Sequence, residues 1–319
     1  WPHVLISLSR SLLISFFVAA FALQAAPVTA LRFSPDGKHL LISRPRAIEV
    51  RALEADSKPR KILCAFDKVT AFAFSADDKT LAVAGGTPGD IGGVHLLDWP
   101  SGKVRGKWDV FEDVATCVAF GPSGKLAAGG ADHSVVLLDL RREGRVAMRF
   151  GGHMKAMRGL AFSPDGKSLV SVSADRTVKL WNTVTSKLER SFGNHLGPVH
   201  AVAFRPGAVS AFCVTASDDK TVRVWQPSIG RMVRIVRGHG GPVFAVAFSA
   251  DGSRIFSIGK EGIGRIIDAD SDKVLQEWKA HDDWVYALAV GPNNQLATGD
   301  WRGNVKLWTV KGDKVFQSN

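Results

Sequence analysis

The segment Met157–Asn182, MRGLAFSPDGKSLVSVSADRTVKLWN, contains in full a pattern that recurs along the chain. Its first apolar run, Leu160–Phe162, leads into Ser163–Gly166, a sequence typical of a type I turn with Pro second and Gly fourth. Apolar residues then alternate with polar ones through Leu169–Ser173 and again through Val178–Trp181. Because alternation with a period of two indicates strands, the segment predicts three short antiparallel strands.

The same pattern occurs seven times. The last apolar residue before each first turn recurs at intervals of 41 to 46 residues. These residues are Phe33, Phe74, Phe120, Phe162, Phe204, Phe248 and Val290. A fourth, outer strand is predicted in several units, at Leu188–Phe192, Met232–Val236 and Val274–Trp278. One small sheet cannot cover both of its faces and must pack against copies of itself. We therefore expect an all-β, seven-bladed β-propeller of four-stranded antiparallel blades.

One domain is expected to cover residues 28–319. Its blades are predicted at about 28–66, 67–112, 113–153, 154–195, 196–239, 240–281 and 282–319. The sequence leaves two ways to close the ring. Either the first and last blades pack directly together, with Lys314–Gln317 as the outer strand of the last blade, or residues just before Val28 complete the ring.

Residues 1–26 precede this domain and contain the apolar run Ser11–Leu23, which is 13 residues long and follows Arg10. The run is short for a membrane span, and small residues follow it, so it predicts a secretory signal peptide. The protein is then exported, to a periplasmic or extracellular location. The alternatives are an uncleaved anchor, which would be the expected membrane contact, and a buried strand that completes the fold. Without a signal, the location would be cytoplasmic.

The formal net charge of the chain is +11, which favours anionic partners such as nucleic acid. Basic residues are concentrated near the start and on the predicted outer strand that holds Arg231, Arg234 and Arg237. Charges on exposed edges prevent sheets from aggregating, so we interpret them as edge charges and do not expect nucleic acid as a partner. The three cysteines are far apart and odd in number, which predicts neither a disulfide framework nor a metal site.

A Gly-His pair, AFSPDG, S-x-D-x-T-V and a strand-ending Trp recur together at a period near 42. This combination resembles the WD repeats of seven-bladed WD40 propellers, and with the predicted signal it resembles an exported bacterial WD-repeat protein. The resemblance implies hydrogen-bonded structural tetrads of His, Ser or Thr, Asp and Trp. In the fourth unit these are His153, Ser171 or Ser173, Asp175 and Trp181, and in the fifth they are His195, Thr215 or Ser217, Asp219 and Trp225.

Two later units depart from the tetrad. The sixth keeps His239 but has Glu261 and Ile267 at the Asp and Trp positions. The seventh keeps its histidine and its tryptophan, while Arg302 replaces the aspartate.

No sequence signature of catalysis is found in the chain. Nucleophile motifs, metal-ligand spacings and a phosphate-binding loop are missing, and Gly166–Ser168 is interpreted as a hairpin turn. The histidines recur once per unit in the same loop, which favours a scaffold role over a catalytic or metal-binding one. We expect neither an enzyme nor a cofactor.

Function is expected where the repeats differ. One column, which follows the first residue of each inner strand, consists of Thr29, Thr70, Ala115, Arg158, His200, Phe244 and Tyr286. In the family this position lies near the rim of the central channel. We predict a partner-binding site at Arg158, His200, Phe244, Tyr286 and the neighbouring Trp284, residue types that are common in interaction hot spots. The alternative is local packing without a ligand. The long turn Gly85–Gly93 is a second candidate binding segment, or else a flexible loop without a function.

The expected function is that of a non-catalytic scaffold that presents its loops and channel rim to a protein or peptide partner. Two alternatives remain. One is a small-ligand-binding or enzymatic propeller that uses the central channel, and the other is an intracellular WD-repeat scaffold.

Overall fold

The computed structural model describes residues 26–54, 57–142, 145–207 and 212–318. The predicted signal peptide, residues 1–26, lies outside the described residues except for Ala26. Within these ranges, twenty-eight strands form seven antiparallel sheets of four strands each. The first strand of every sheet contacts the first strand of the next, and that of the last sheet contacts that of the first. The sheets thus form a closed ring around a channel, and the predicted seven-bladed propeller is confirmed.

The strands follow one another in the same order in every blade. Blade 1 contains β1 (Leu31–Phe33), β2 (His39–Arg44), β3 (Ala47–Ala52) and β4 (Arg60–Leu63). Blade 2 contains β5 (Lys68–Phe74), β6 (Thr80–Thr87), β7 (Ile91–Asp98) and β8 (Val104–Phe111). Blade 3 contains β9 (Ala115–Phe120), β10 (Lys125–Gly130), β11 (Val135–Asp139) and β12 (Arg145–Phe150). Blade 4 contains β13 (Met157–Phe162), β14 (Ser168–Ser173), β15 (Val178–Asn182) and β16 (Leu188–Phe192).

The remaining blades repeat this plan. Blade 5 contains β17 (Val199–Phe204), β18 (Cys213–Ser217), β19 (Val222–Gln226) and β20 (Arg231–Val236). Blade 6 contains β21 (Val243–Phe248), β22 (Arg254–Gly259), β23 (Ile263–Asp268) and β24 (Val274–Lys279). Blade 7 contains β25 (Val285–Val290), β26 (Gln295–Asp300), β27 (Val305–Lys311) and β28 (Lys314–Gln317). Short 3-10 turns occur at Pro122–Gly124, Leu140–Arg142, Pro227–Ile229 and Pro292–Asn294.

The hydrophobic core lies between neighbouring blades. The middle strands β14 and β15 are buried almost throughout, whereas four of the five residues of the outer strand β16 are exposed. Between blades 3 and 4, Leu137, Met157 and Trp181 share one apolar cluster. Since each sheet is covered on both faces by its neighbours, the stability of a blade depends on the blades beside it.

The antiparallel order assigns each loop to one of two faces. The loop before each inner strand and the turn between the second and third strands lie on one face, which we call the mouth face. The first turn and the turn before the outer strand lie on the opposite face. In blade 4 the Ser163 hydroxyl holds such an opposite-face turn, since it donates to Asp165 Oδ1 (2.6 Å) and accepts from the Ser168 N–H (3.0 Å).

The ring closes by direct packing of blade 1 against blade 7. The fully buried Val28 donates its backbone N–H to the Asp300 carbonyl oxygen (3.1 Å), and Leu31 and Phe33 pack with Ala289 of β25. The outer strand of blade 7 is β28, which pairs with β27. Among the described residues, the first of the two closure alternatives is therefore adopted.

Several basic residues of outer strands connect neighbouring blades. Arg190 Nε of β16 donates to the Ser228 carbonyl oxygen of blade 5 (3.2 Å), and Arg234 Nη1 of β20 donates to the Asp270 carbonyl oxygen of blade 6 (2.9 Å). Arg60 of β4 donates in the same way to Pro100 of blade 2. Part of the positive charge of the chain thus serves the contacts between blades.

Two further features concern the membrane and the thiols. In the part of the chain that the structure describes, no helix has the length and apolar character needed to cross a bilayer. Cys117 and Cys213 are buried, while Cys64 is partly buried and its pKa is raised by burial to about 11.

Candidate interaction surface at the channel mouth

In blade 4 a chain of hydrogen bonds joins a strand tryptophan to a turn aspartate. Trp181 Nε1 donates to Ser171 Oγ (2.8 Å), and Ser171 Oγ lies 2.8 Å from His153 Nε2. His153 Nδ1 lies 2.9 Å from Asp175 Oδ2. Because a carboxylate only accepts, the imidazole proton is on Nδ1, and Nε2 accepts the Ser171 hydroxyl. Blade 5 has the same arrangement in Trp225, Thr215, His195 and Asp219.

The alternative tetrad hydroxyls of blades 4 and 5, those of Ser173 and Ser217, make other hydrogen bonds. Ser173 Oγ donates to the Lys155 carbonyl oxygen (2.8 Å), and Ser217 Oγ donates to the Gly197 carbonyl oxygen (3.0 Å). Each also accepts the backbone N–H of the aspartate two residues later. Ser173 and Ser217 therefore connect the turns of the mouth face, and they lie outside the chain that runs from tryptophan to histidine.

Blade 7 has the full hydrogen-bonded set, contrary to the expectation that Arg302 replaces its aspartate. His281 Nδ1 lies 3.0 Å from Asp300 Oδ2, and His281 Nε2 lies 2.8 Å from Thr298 Oγ1. Trp308 Nε1 donates to the same hydroxyl (2.9 Å). Asp300 and Thr298 are two residues apart on β26, so both side chains point to the same side of the strand. Arg302 instead pairs with Asp283 at the surface (2.8 Å).

Blade 6 reverses the hydrogen-bond direction. Arg265 Nη1 lies 2.7 Å from His239 Nδ1 and 2.8 Å from Glu261 Oε2. Since arginine only donates, His239 Nδ1 accepts, and the imidazole proton is on Nε2, which faces the Ser257 hydroxyl at 3.3 Å. Burial and the adjacent Arg265 charge lower the pKa of His239 to about 4. The residue at the Trp position is Ile267, so Ser257 has no indole donor.

The predicted column coincides with a β-bulge at the start of the inner strands. In blades 4 to 7 the ladder skips Arg158, His200, Phe244 and Tyr286, while the residues on either side pair with the second strand. A bulged residue is released from the ladder and can point in a new direction. These four side chains, with those of the other blades, line a cavity of about 750 Å³ at the channel mouth that receives residues from all seven blades.

One member of the predicted column is wrong. Ala115 is fully buried and paired with Gly130, and the bulge of blade 3 places Thr116 in the column. The corrected column has threonine in blades 1 to 3, and each hydroxyl donates to a carbonyl oxygen at the start of the next blade. Thr29 donates to Val69 (2.7 Å), Thr70 to Ala115 (2.5 Å) and Thr116 to Met157 (2.8 Å).

Aromatic side chains of blades 6 and 7 form a wall on one side of the cavity. The rings of Phe244 and Tyr286 stack with centroids 4.7 Å apart, and His200 meets Phe244 edge to face at 5.2 Å. Trp284 and Trp301 extend the wall outward, with centroids 6.4 Å apart, and they are 40% and 45% exposed. We use the term aromatic wall for Phe244, Trp284, Tyr286 and Trp301. Trp301 was not predicted, because it comes from the turn between β26 and β27.

The charged side chains around this cavity differ in whether they have a hydrogen-bond or ion-pair partner. Asp218 accepts from His200 Nε2 (2.7 Å), and burial lowers the pKa of that imidazole, which keeps it neutral. Asp113 accepts from the backbone N–H groups of Gly89 and Val114, which hold its pKa below the usual range. By contrast, Arg158 makes no hydrogen bond or ion pair with any described residue.

The second candidate segment, Gly85–Gly93, is mostly a continuation of β6 and β7 with a short turn at residues 88–90. Pro88 of this turn reaches the channel-mouth cavity. At Gly92, a Cβ would overlap the backbone of Asp113 and Ala115 in blade 3. Glycine is therefore needed for the close approach of this hairpin to the next blade.

The sequence was also compared with known proteins. The model of the family described as "WD domain, G-beta repeat" matches residues 107–139, 144–182, 186–226, 230–268 and 272–309, more than half of the chain. The chain belongs to the WD40 family. Each matched unit contains the outer strand of one blade and the first three strands of the next, so the five units run from β8 to β27 and include the tetrads of blades 4, 5 and 7.

Similar WD40 proteins are functionally diverse. U3 small nucleolar RNA-associated protein 15 homolog of Xenopus tropicalis is 38% identical over 28% of this chain and 17% of its own length. Apoptotic protease-activating factor 1 of Rattus norvegicus is 24% identical over 71% of this chain and 18% of its own length. An uncharacterised WD repeat-containing protein of Synechocystis is 34% identical over 35% of this chain and 31% of its own length. The chain thus matches less than a third of each relative.

The WD40 architecture separates scaffold from candidate site. WD40 propellers typically serve as protein-interaction scaffolds, and the buried tetrads of blades 4, 5 and 7 are part of the shared framework. The residues that differ between WD repeats, from Arg158 to Tyr286, meet at the channel mouth. No cluster of three or more potential metal ligands was found among the described residues.

Proposed function

We propose that this WD40 propeller is a non-catalytic scaffold that binds a protein partner through the aromatic wall and Arg158. The observation that carries the proposal is the exposure of Trp284 and Trp301 beside the channel-mouth cavity, at 40% and 45%. Aromatic and arginine side chains dominate the binding energy of many interfaces. A wall that is rigid before binding loses less conformational entropy when a partner docks.

The enzymatic alternative would use His200, whose imidazole is paired with Asp218 inside the cavity. A hydrolytic centre also needs a nucleophile held against the base. The hydroxyls of Thr70 and Thr116 in the same cavity donate to backbone carbonyls instead. This arrangement supports the scaffold over an acid–base enzyme.

We further propose that the protein is exported. The apolar run Ser11–Leu23 after Arg10 supports a signal peptide. Ala26 and Pro27 line a second cavity together with Tyr286 and Trp301, so the chain enters the propeller beside the channel mouth. Fractionation of the native host and sequencing of the mature N-terminus test this proposal. Full-length protein in the cytosol would overturn it.

The scaffold proposal is tested by a pull-down from the native host. The test variant combines Arg158→Ala, Phe244→Ala and Tyr286→Ala. A matched control combines Lys187→Ala, Val184→Ala and Ile229→Ala, three exposed residues in turns of the opposite face. We expect the control to retain the partners of the wild type and the test variant to lose them. The test variant should keep a wild-type circular dichroism spectrum at the assay temperature, although the loss of the ring stack lowers its Tm. Equal recovery by both variants would overturn the proposal.

A further inference from the structure

The chemistry of the channel mouth narrows the class of partner, provided that the proposed scaffold function is correct. The cavity has an aromatic side, formed by Phe244, Trp284 and Tyr286, and a side formed by Thr29, Thr70 and Thr116. A second cavity of about 460 Å³ shares Thr29, Lys68, Arg158 and Tyr286 with the first, and it extends the surface to Trp301. The two cavities are therefore one continuous groove that leads from the channel across the mouth face.

Four cations line the groove, Lys68, Arg158 and Lys260 in the first cavity and Arg44 in the second. The side-chain nitrogens of Lys68, Arg158 and Lys260 have no hydrogen-bond or ion-pair partner in the described ranges, whereas Arg44 pairs with Glu49 (2.9 Å). Lys68, Arg158 and Lys260 are exposed to solvent, and cations without a counter-charge at the mouth of a cavity attract an anionic group from outside.

The carboxylates beside these cations are already engaged, including Asp67 of the second cavity, which accepts from the Thr87 hydroxyl (3.0 Å). Asp218 accepts from His200, and Asp113 accepts from two backbone N–H groups.

A cationic ligand is disfavoured, although an aromatic cluster by itself suits one. Lys260 Nζ lies 4.6 Å from the centroid of Trp284 and already occupies the position over that ring. Arg158 adds a second positive charge within the groove. A lysine or arginine side chain of a partner would therefore meet like charges next to the aromatic wall.

We propose that the groove binds an extended acidic segment of a partner protein, in which an Asp or Glu carboxylate pairs with Arg158 and a nearby apolar side chain packs on the aromatic wall. Arg158 offers the planar, two-pronged donor set that carboxylates bind best. Trp284 and Trp301 offer the exposed apolar surface, and the half-buried Tyr286 contacts both rings.

An acidic polysaccharide has similar charge, but the groove favours a polypeptide. Sugars are bound through many hydrogen bonds to side-chain hydroxyls and amides, as well as by stacking. Here the hydroxyls of Thr29, Thr70 and Thr116 donate to backbone carbonyl oxygens, so their protons are not available to a sugar. Of the two guanidinium groups in the groove, Arg44 pairs with Glu49, while Arg158 has no partner in the described ranges. Arg158 lines the same cavities as Tyr286 of the aromatic wall, which suits one carboxylate beside one apolar side chain.

The test selects binders from a random peptide library displayed on phage, using the immobilised propeller, with counter-selection on the Arg158→Ala/Phe244→Ala/Tyr286→Ala variant. Enrichment of Asp or Glu close to Phe, Trp, Leu or Ile is expected. Enrichment of basic sequences, or no enrichment over the counter-selected variant, would overturn the inference. An oligogalacturonate that binds the wild type but not this variant, and that displaces the selected peptides, would also overturn it.

Reversing the charge at position 158 gives a second test, in which the affinity of one selected peptide is measured. Arg158→Glu should weaken the acidic peptide at least about tenfold, equivalent to about 1.4 kcal/mol. It should also strengthen the same peptide with Lys in place of its acidic residue. The control is Lys187→Glu, an exposed charge on the opposite face. If Arg158→Glu acts like this control, the inference is wrong.

The two proposals fail in different ways. If native partners still depend on the aromatic wall in the pull-down but the selected peptides are not acidic, only the acidic-segment inference falls. If the recovery of native partners does not depend on the aromatic wall, both the scaffold proposal and this inference are wrong.

Discussion

Phe244 and Tyr286 stack face to face across the boundary between blades 6 and 7, with ring centroids 4.7 Å apart and an interplanar angle of 14°. Each ring belongs to a bulged residue at the start of an inner strand. Stacked pairs of this kind contribute about 0.5–1.5 kcal/mol beyond the burial of their area. The stack holds both rings in place, so the aromatic wall is ordered before a partner arrives.

Replacing Phe244 by Leu removes the stack but keeps an apolar side chain. We expect Phe244→Leu to lower the free energy of unfolding by about 1 kcal/mol, because Tyr286 and His200 lose their ring contacts with Phe244. We also expect weaker partner binding under conditions in which the variant is fully folded. Urea unfolding and a binding titration measure the two effects. The control is Phe316→Leu on β28, where the ring is 49% exposed. Unchanged binding by Phe244→Leu would contradict the role of the stack.

The threonines on the other side of the channel are expected to act on stability alone. Thr70→Val keeps the shape of the side chain and removes the hydroxyl that donates to the Ala115 carbonyl oxygen (2.5 Å). Loss of this bond should lower the free energy of unfolding by about 1 kcal/mol and leave partner binding unchanged. Thr185→Val, at an exposed turn of the opposite face, is the matched control. A binding defect in Thr70→Val would show that both sides of the mouth contact the partner.

The assignment of the blade 7 carboxylate can be tested by a pair of variants. Asp300→Ala leaves the His281 Nδ1–H without an acceptor in a buried position and should cost about 1–3 kcal/mol. Arg302→Ala removes only a surface ion pair in which the arginine side chain is 64% exposed, so its effect should stay below about 1 kcal/mol. Urea unfolding of both proteins measures the difference. Equal losses would contradict the assignment of Asp300.

Stability should fall as the pH decreases from about 7 to 4, in part because of His239. Its pKa is lowered to about 4 in the folded protein, by burial first and by Arg265 second, while Glu261 opposes the shift. In this range the His239 imidazole is protonated in the unfolded chain but neutral in the folded protein. Acid therefore favours unfolding by up to about 1.4 kcal/mol per pH unit for this group.

The variant His239→Gln isolates this contribution. Burial also lowers the pKa values of His153, His195 and His281, so the wild type has a summed dependence on pH. We expect a shallower slope for His239→Gln in urea titrations repeated from about pH 7 to pH 4. The same slope in both proteins would mean that His239 is protonated in the folded state.

The hairpin of blade 2 provides a test of close packing. Gly92→Ala would force a Cβ against the backbone of blade 3, whereas Gly89→Ala meets nothing within 4 Å and changes only a residue with φ of +73°. Gly89→Ala should cost about 1 kcal/mol, and Gly92→Ala should cost clearly more. Differential scanning calorimetry compares the two. The opposite order would contradict the packing of this hairpin.

Much of the fold was predictable because each blade repeats the same local signals. The turn sequence after Phe162 and the alternation in Val178–Trp181 fix strand positions without knowledge of the neighbours. The tetrads of blades 4 and 5 occupy the predicted residues, and the structure separates Ser171 from Ser173. Blade 7 was mispredicted because its carboxylate, Asp300, lies on the strand and not in the turn, although its two-residue spacing from Thr298 could have indicated it.

The candidate site was only partly predictable. The column from Arg158 to Tyr286 consists of bulged residues. The position of a bulge cannot be read from the sequence alone, and in blade 3 it lies one residue later than predicted, at Thr116 instead of Ala115. Trp301 reaches the wall from a different turn, a proximity that no local pattern reveals. That Arg158 has no partner in the described part of the chain depends on the positions of carboxylates in other blades, which only the folded ring determines.

The measurement that tests the central claim most directly is site-specific photo-crosslinking in the native host. A photoreactive phenylalanine replaces Trp301 at the aromatic wall or Val184 on the opposite face, two residues that are 45% and 68% exposed. If the channel mouth is the interaction surface, a discrete protein adduct forms from position 301 and is absent from position 184. Adducts that form equally from both positions, or from position 184 alone, would contradict it.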